Sequence, residues 1–158
     1  SAMASRRFEK VRPLIGSSPA EVRAGLSYAE FRGAFDSVDD FAGMEGGVRQ
    51  VATDLSVPML DGKLEENVAR RYQGYLEIPD DDVYLVSLTS DDGSRLVLSG
   101  QSLDNDGLHA PVTKTATWAL AKGWHRLDLL WFNRTGGSVL KLEVARPGQK
   151  AIALRLGH

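Results

Sequence analysis

Between Asn67 and Ile78 the chain reads NVARRYQGYLEI, and the stretch alternates. Val68, Arg70, Tyr72, Gly74, Leu76 and Ile78 share one parity, while Ala69, Arg71, Gln73, Tyr75 and Glu77 share the other, more polar one. A period of two marks a half-buried strand, because successive side chains leave a pleated backbone on opposite faces. Pro79 ends it, since proline has no N–H to give to a ladder. The signature then recurs. AGLSYAEFRG (24–33) alternates through Leu26, Tyr28 and Glu30, and VYLVSLTS (83–90) puts Tyr84, Val86 and Leu88 on one face. SRLVLSG and TKTATWALAKG (113–123) follow, separated by an acidic loop. WHRLDLLWFN (124–133) is apolar at both parities, which predicts a central strand covered on both faces. SVLKLEVARPG (138–148) sends Leu140, Leu142 and Val144 inward. Strands recur about every 10–14 residues, and only a short helical turn near Asp36–Met44 interrupts them. The pattern predicts an all-β protein, an antiparallel two-sheet β-sandwich.

A chain of 158 residues suits one domain with a sizeable core. The net charge of −2 provides no field to gather nucleic acid or anionic lipid. No apolar run is long enough to span a membrane. The absence of cysteine excludes disulfide scaffolds, thiolate zinc sites and cysteine nucleophiles. Ser1-Ala2-Met3 reads as a cloning remnant. Pro13, Pro19 and Gly16-Ser17-Ser18 read as a linker, preceded by the strand-like RRFEKVRPL. The expected division is therefore 1–24 as linker and end of a preceding domain, and 25–158 as the β-sandwich. Near-neutral composition without heptads makes a monomer the expectation.

Chemistry concentrates in SDDGSRLVLSGQSLDNDGLHAP (90–111), which holds Asp91, Asp92, Asp104, Asp106 and His109. Several enzyme classes drop out. His109, His125 and His158 are not spaced as a metal triad, and His125 falls at the apolar parity of its strand, as a core or rim histidine does. No GxSxG elbow or phosphate-binding glycine loop occurs. DNDG is not an EF-hand, because Gly107 at loop position six leaves Ser102 and Thr113 where acidic ligands are required. Asp91-Asp92 is more informative. Adjacent side chains of an extended strand point to opposite faces, so two neighbouring carboxylates share a cation only if the backbone turns sharply, for instance through a cis peptide. Calcium takes 6–8 oxygen ligands, so a second loop must contribute, and open positions would accept sugar hydroxyls. The plainer alternative is that Asp92-Gly93 and Asp106-Gly107 are ordinary turns. Trp118, Trp124, Trp131, Tyr28 and Tyr75 are candidate sugar platforms, although Trp124 and Trp131 have opposite parity and at least one belongs in the core.

The stretch from RRYQGYLEIP through VYLVSLTSDDGSRLVLSGQSLDNDGLHAP to GWHRLDLLWFNRTGGSVLKLEV resembles the protective-antigen fourteen-kilodalton domain family. The markers are Gly74-Tyr75, the Pro79-to-Tyr84 turn, Ser90-Asp91-Asp92-Gly93-Ser94, Asp104 to His109 and Gly123-Trp124-His125, and the resemblance covers about residues 25–155. It implies a two-sheet β-sandwich serving as a non-catalytic accessory module of an exported carbohydrate-active protein, such as a glycoside hydrolase or sulfatase. It also implies that Asp91 and Asp92, joined by a cis peptide, and Asn133 hold calcium. Asn105, Asp106, His109 and Arg134 stand where a sugar would be contacted. The chain departs from the family pattern at Asp82, where a turn glycine is usual, and at Asn133-Arg134-Thr135, which supplies no second-loop carboxylate. RRFEKVRPL is similar to the end of the small domain that precedes this module in hexosaminidase-like enzymes. The expected partners are a glycan or a neighbouring catalytic domain. A purely structural role, packing against that neighbour with no ligand of its own, is the alternative.

Overall fold

The computed structural model describes residues 14–55 and 66–158. Among the described residues ten strands follow one another: β1 (Leu26–Arg32), β2 (Val48–Ala52), β3 (Val68–Ile78), β4 (Asp82–Asp91), β5 (Ser94–Leu98), β6 (Gln101–Asn105), β7 (Val112–Leu120), β8 (Gly123–Asn133), β9 (Val139–Ala145) and β10 (Arg155–Gly157). A 3-10 helix, Val38–Asp40, lies between β1 and β2. The larger sheet runs β2-β1-β3-β8-β5-β6, with β10 also on β3, and the smaller runs β7-β4-β9. All these strand pairings are antiparallel. The expected sandwich is the fold observed.

The main core lies between the sheets. The alternating faces read from the sequence meet there: Val68, Tyr72, Leu76 and Ile78 of β3, Tyr84, Val86 and Leu88 of β4, and Leu140, Leu142 and Val144 of β9. Burying each of these aliphatic or aromatic side chains contributes about 1.5–3 kcal/mol. A second cluster forms on the outer face of the larger sheet, where Val38 and Phe41 pack on Ala29, Phe31, Ala69 and Phe132. This explains β8. Its last residues Trp131, Phe132 and Asn133 are all buried, whereas Arg126 nearer its start is exposed. The strand is central along its whole length but covered on both faces only at its C-terminal end, under the helical turn.

Some expectations need correcting. The acidic loop contains a strand, β6, whose Leu103 packs into the core while its neighbours face solvent. β2 and β10 are too short and too polar or isolated for alternation to reveal. Residues 14–24, expected as linker, lie against the sandwich: Leu14 N donates to Ala119 O, Ala121 N donates to Leu14 O, and Arg23 and His158 exchange backbone hydrogen bonds at 2.9 Å. The strand-like RRFEKVRPL, apart from Leu14, lies outside the described residues. Asp82, at the family's turn glycine, is buried. It accepts from Val83 N at 2.8 Å and from Arg146 Nε at 3.1 Å, so a buried carboxylate–guanidinium pair organises that turn.

The register gathers several of the sandwich's buried polar residues at one end. Glu30, Arg70, Trp131, Ser94 and Asn105 form one row across the larger sheet. The next row inward is Tyr28, Tyr72, Leu129, Leu96 and Leu103.

Candidate functional site

The site is a corner where the chain changes sheets. Asp91 still pairs with Val139 in the smaller sheet, and Ser94 already pairs with Trp131 and Asn105 in the larger. The peptide bond between Asp91 and Asp92 is cis, the geometry anticipated for this pair. The corner is pinned from several directions. Asp92 N donates to Phe132 O at 3.0 Å and Phe132 N donates to Gly93 O at 3.1 Å. Trp131 Nε1 donates to Asp91 O at 3.1 Å, and the Ser90 and Ser94 hydroxyls share a buried hydrogen bond of 2.6 Å. Gly93 has no room for a side chain: a Cβ there would lie 2.6 Å from Gly107 N and 2.7 Å from the Phe132 ring. The two Asp-Gly loops are therefore packed against each other.

The Asp92 carboxylate sits among backbone donors. Asp92 is buried, with Oδ1 accepting from His109 N at 3.2 Å and Oδ2 accepting from Arg134 N at 2.9 Å. One side chain thus ties the β6–β7 loop to the β8–β9 loop. Burial pushes the Asp91 carboxyl above its ordinary value of 3.8, and the Asp92 charge, in hydrogen-bonding contact with it, pushes in the same direction; His109 acts oppositely. Asn133, buried at the end of β8, donates from Nδ2 to Gly136 O at 3.3 Å within the second loop.

The structure thus brings Asp91, Asp92, His109, Asn133 and Arg134 to one end of the sandwich. Their side chains are not equally available. The Arg134 guanidinium pairs with Asp36. The His109 ring nitrogens face Asn105 O and Ala110 O, each at 2.8 Å, so the ring braces its own loop. Asn105 points inward. Its Nδ2 reaches Leu88 O at 3.1 Å and Val112 O at 2.9 Å, linking the two sheets. Asp106 accepts from Ser37 Oγ at 2.6 Å and from Val38 N at 2.9 Å, fastening the helical turn. Of the residues expected to contact a sugar, Asn105 and Asp106 are engaged in holding the scaffold. Among the aromatic candidates, Trp131 and Tyr28 are core residues, while Trp118, Trp124 and Tyr75 are partly exposed.

Sequence reasoning passed over Asp36 and Ser37. The spacing Ser37–Asp40 is a capping-box signature, and both halves of the box form. It signalled the turn, though not where the turn docks. The donor set at the corner is all oxygen: two carboxylates, an amide and the carbonyls of a glycine-bearing loop. That chemistry fits a hard cation such as calcium. No cluster of three or more His, Cys, Asp or Glu side chains occurs among the described residues, so carbonyls, water or ligand hydroxyls would have to complete a shell.

Fold and corner together define a class: a two-sheet β-sandwich module with a paired-aspartate crossing at one end. The chain belongs to the PA14 domain family, whose model matches residues 23–155. Among solved structures, it is similar to the PA14 domain of the MpAFP antifreeze protein (TM-score 0.73, 17% identity, covering 89% of this chain and 94% of that one). It is also similar to the PA14 sugar-binding domain from an RTX adhesin (TM-score 0.66, 17% identity, 85% and 95% covered). A third likeness is to the β-glucosidase from Kluyveromyces marxianus, solved in complex with glucose (TM-score 0.60, 13% identity, 87% of this chain and 19% of that one). At these identities the likeness concerns the fold. None of the curated proteins compared matches the chain.

Proposed function

We propose that this domain is a non-catalytic carbohydrate-binding module that takes sugar hydroxyls at its loop end through a calcium ion. Asp91, Asp92 and Asn133 would hold the ion, with carbonyls of the 134–138 loop completing the protein's share. The observation that carries this reading is the buried Asp92 carboxylate, adjacent to Asp91 and held by one backbone N–H from each flanking loop. A turn that served only to reverse the chain would gain nothing from bringing two negative charges together. The likeness to a sugar-binding domain of an adhesin and to a β-glucosidase supports the sugar as ligand class. An exported setting beside a catalytic domain follows the same relatives. Single-site affinity is expected to be weak, with tethering or multivalency raising it.

The test is a glycan array probed with and without calcium, using the wild-type domain and Asp91→Ala/Asp92→Ala. Calcium-dependent glycan signal that disappears in the double variant supports the proposal. Absence of any calcium-dependent signal moves the assignment to interdomain packing.

A further inference from the structure

The corner's negative pair has a cation built beside it. Arg134 N lies 2.9 Å from Asp92 Oδ2, so the long Arg134 side chain starts beside the Asp92 carboxylate. Its Nη1 pairs with Asp36 instead. The Asp36 side chain is exposed, but the backbone that carries it is fixed. Asp36 N and Ser37 N both donate to Asp40 Oδ2, at 2.9 and 3.1 Å. Ser37 Oγ and Val38 N are fastened to Asp106, and Val38 and Phe41 are buried on Phe132. The other nearby arginine is treated alike. Arg95 pairs with Asp39 at 2.8 Å and with Asp104 at 3.3 Å. One short segment, 36–40, therefore supplies a carboxylate to each of these arginines.

We propose that Asp36 is a positioning residue for the loop end: it holds the Arg134 guanidinium away from the Asp91 and Asp92 carboxylates and so keeps that pair open to an external cation. This rests on the reading of the corner as a cation site. Without Asp36, the guanidinium would swing onto the carboxylates, because a charge-assisted hydrogen bond to a partly desolvated pair is stronger than solvation of an exposed side chain. The arginine would then compete with the metal.

The test is a calcium chloride titration of the wild-type domain, Asp36→Asn, Arg134→Gln and the double variant. Asp36→Asn is expected to weaken calcium binding roughly two- to fivefold, the scale of an exposed ion pair. In the Arg134→Gln background the same substitution is expected to change nothing. Equal affinity of wild type and Asp36→Asn overturns the proposal. So does equal weakening in both backgrounds, which would mark a through-space effect of the lost charge. If the wild type takes up no calcium, the cation reading of the site fails, and a crystal structure of metal-free Asp36→Asn decides the inference separately. A guanidinium hydrogen-bonded to Asp91 or Asp92 supports it, and one left in solvent overturns it.

Discussion

His125 shows how a single residue can be assigned from its partners. It is fully buried, with Nε2 2.7 Å from Ala121 O and Nδ1 2.6 Å from Ser99 Oγ. A carbonyl only accepts, so Nε2 carries the proton and Nδ1 accepts from the serine hydroxyl. Burial pushes its pKa below the ordinary 6.5. A depressed folded-state pKa means that the unfolded chain takes up the proton first. This contribution to stability is complete above about 6.5 and is lost as pH falls through the folded value. Thermal melts across pH 5–8 are expected to show a shallower acid-side decline for His125→Gln than for wild type, by up to about 1.4 kcal/mol per pH unit. Parallel pH profiles would show that His125 does not titrate on unfolding. Gly93 makes a steric prediction at the same scale. Gly93→Ala drives a methyl into the Gly107 backbone and the Phe132 ring. It is expected to cost about 1–3 kcal/mol in urea unfolding, against nearly nothing for Gly136→Ala's contacts, where a Cβ meets no atom within 4 Å and only the positive φ of 78° opposes it.

At the scale of elements, the helical turn is held by a residue far away in sequence. Asp106 accepts two hydrogen bonds from Ser37 and Val38, as a capping side chain would. Asp106→Ala is expected to cost about 0.5–2 kcal/mol. Hydrogen exchange should quicken locally, at amides 38–42, while β3 and β8 stay protected. Uniform loss of protection would contradict a local fastening. The strands themselves were largely legible. Alternation in 67–78, 83–90 and 138–148 assigned the buried parity correctly because each strand has one face on the core. β8 was legible as central from its two apolar parities, but its outer cover depends on Phe41 and Val38 docking from another segment, which no local pattern encodes. β6 was hidden because Ser102 and Asp104 are exposed, and only Leu103 and Asn105 turn inward. Residues 14–24 carried turn chemistry, and their backbone pairing with β7, β8 and β10 leaves no mark in side-chain periodicity.

For the whole molecule, the polar row Glu30–Arg70–Trp131–Ser94–Asn105 and the corner above it gather buried hydrogen-bonding groups at one end of the sandwich. The sequence drew attention to Asp91 and Asp92 because adjacent carboxylates are conspicuous, to Asn133 through resemblance and to Arg134 as part of a loop expected at the same end. It misplaced the freedom of Asn105 and Asp106, since turn-like DNDG gives no hint that one side chain bridges the sheets and the other caps a helix 68 residues away. If the loop end holds calcium, the folded state gains stability in proportion to RT ln(1 + [calcium]/Kd), about 2.7 kcal/mol at a hundredfold excess over Kd. The melting temperature should accordingly rise with calcium in wild type and stay constant in Asp91→Ala/Asp92→Ala.

The most direct measurement is calorimetric titration of calcium into the metal-stripped domain, with the same double variant as control. The account predicts saturable uptake of one ion per chain by wild type and none by the folded variant. No heat from the wild type, or equal heat from both proteins, would contradict it.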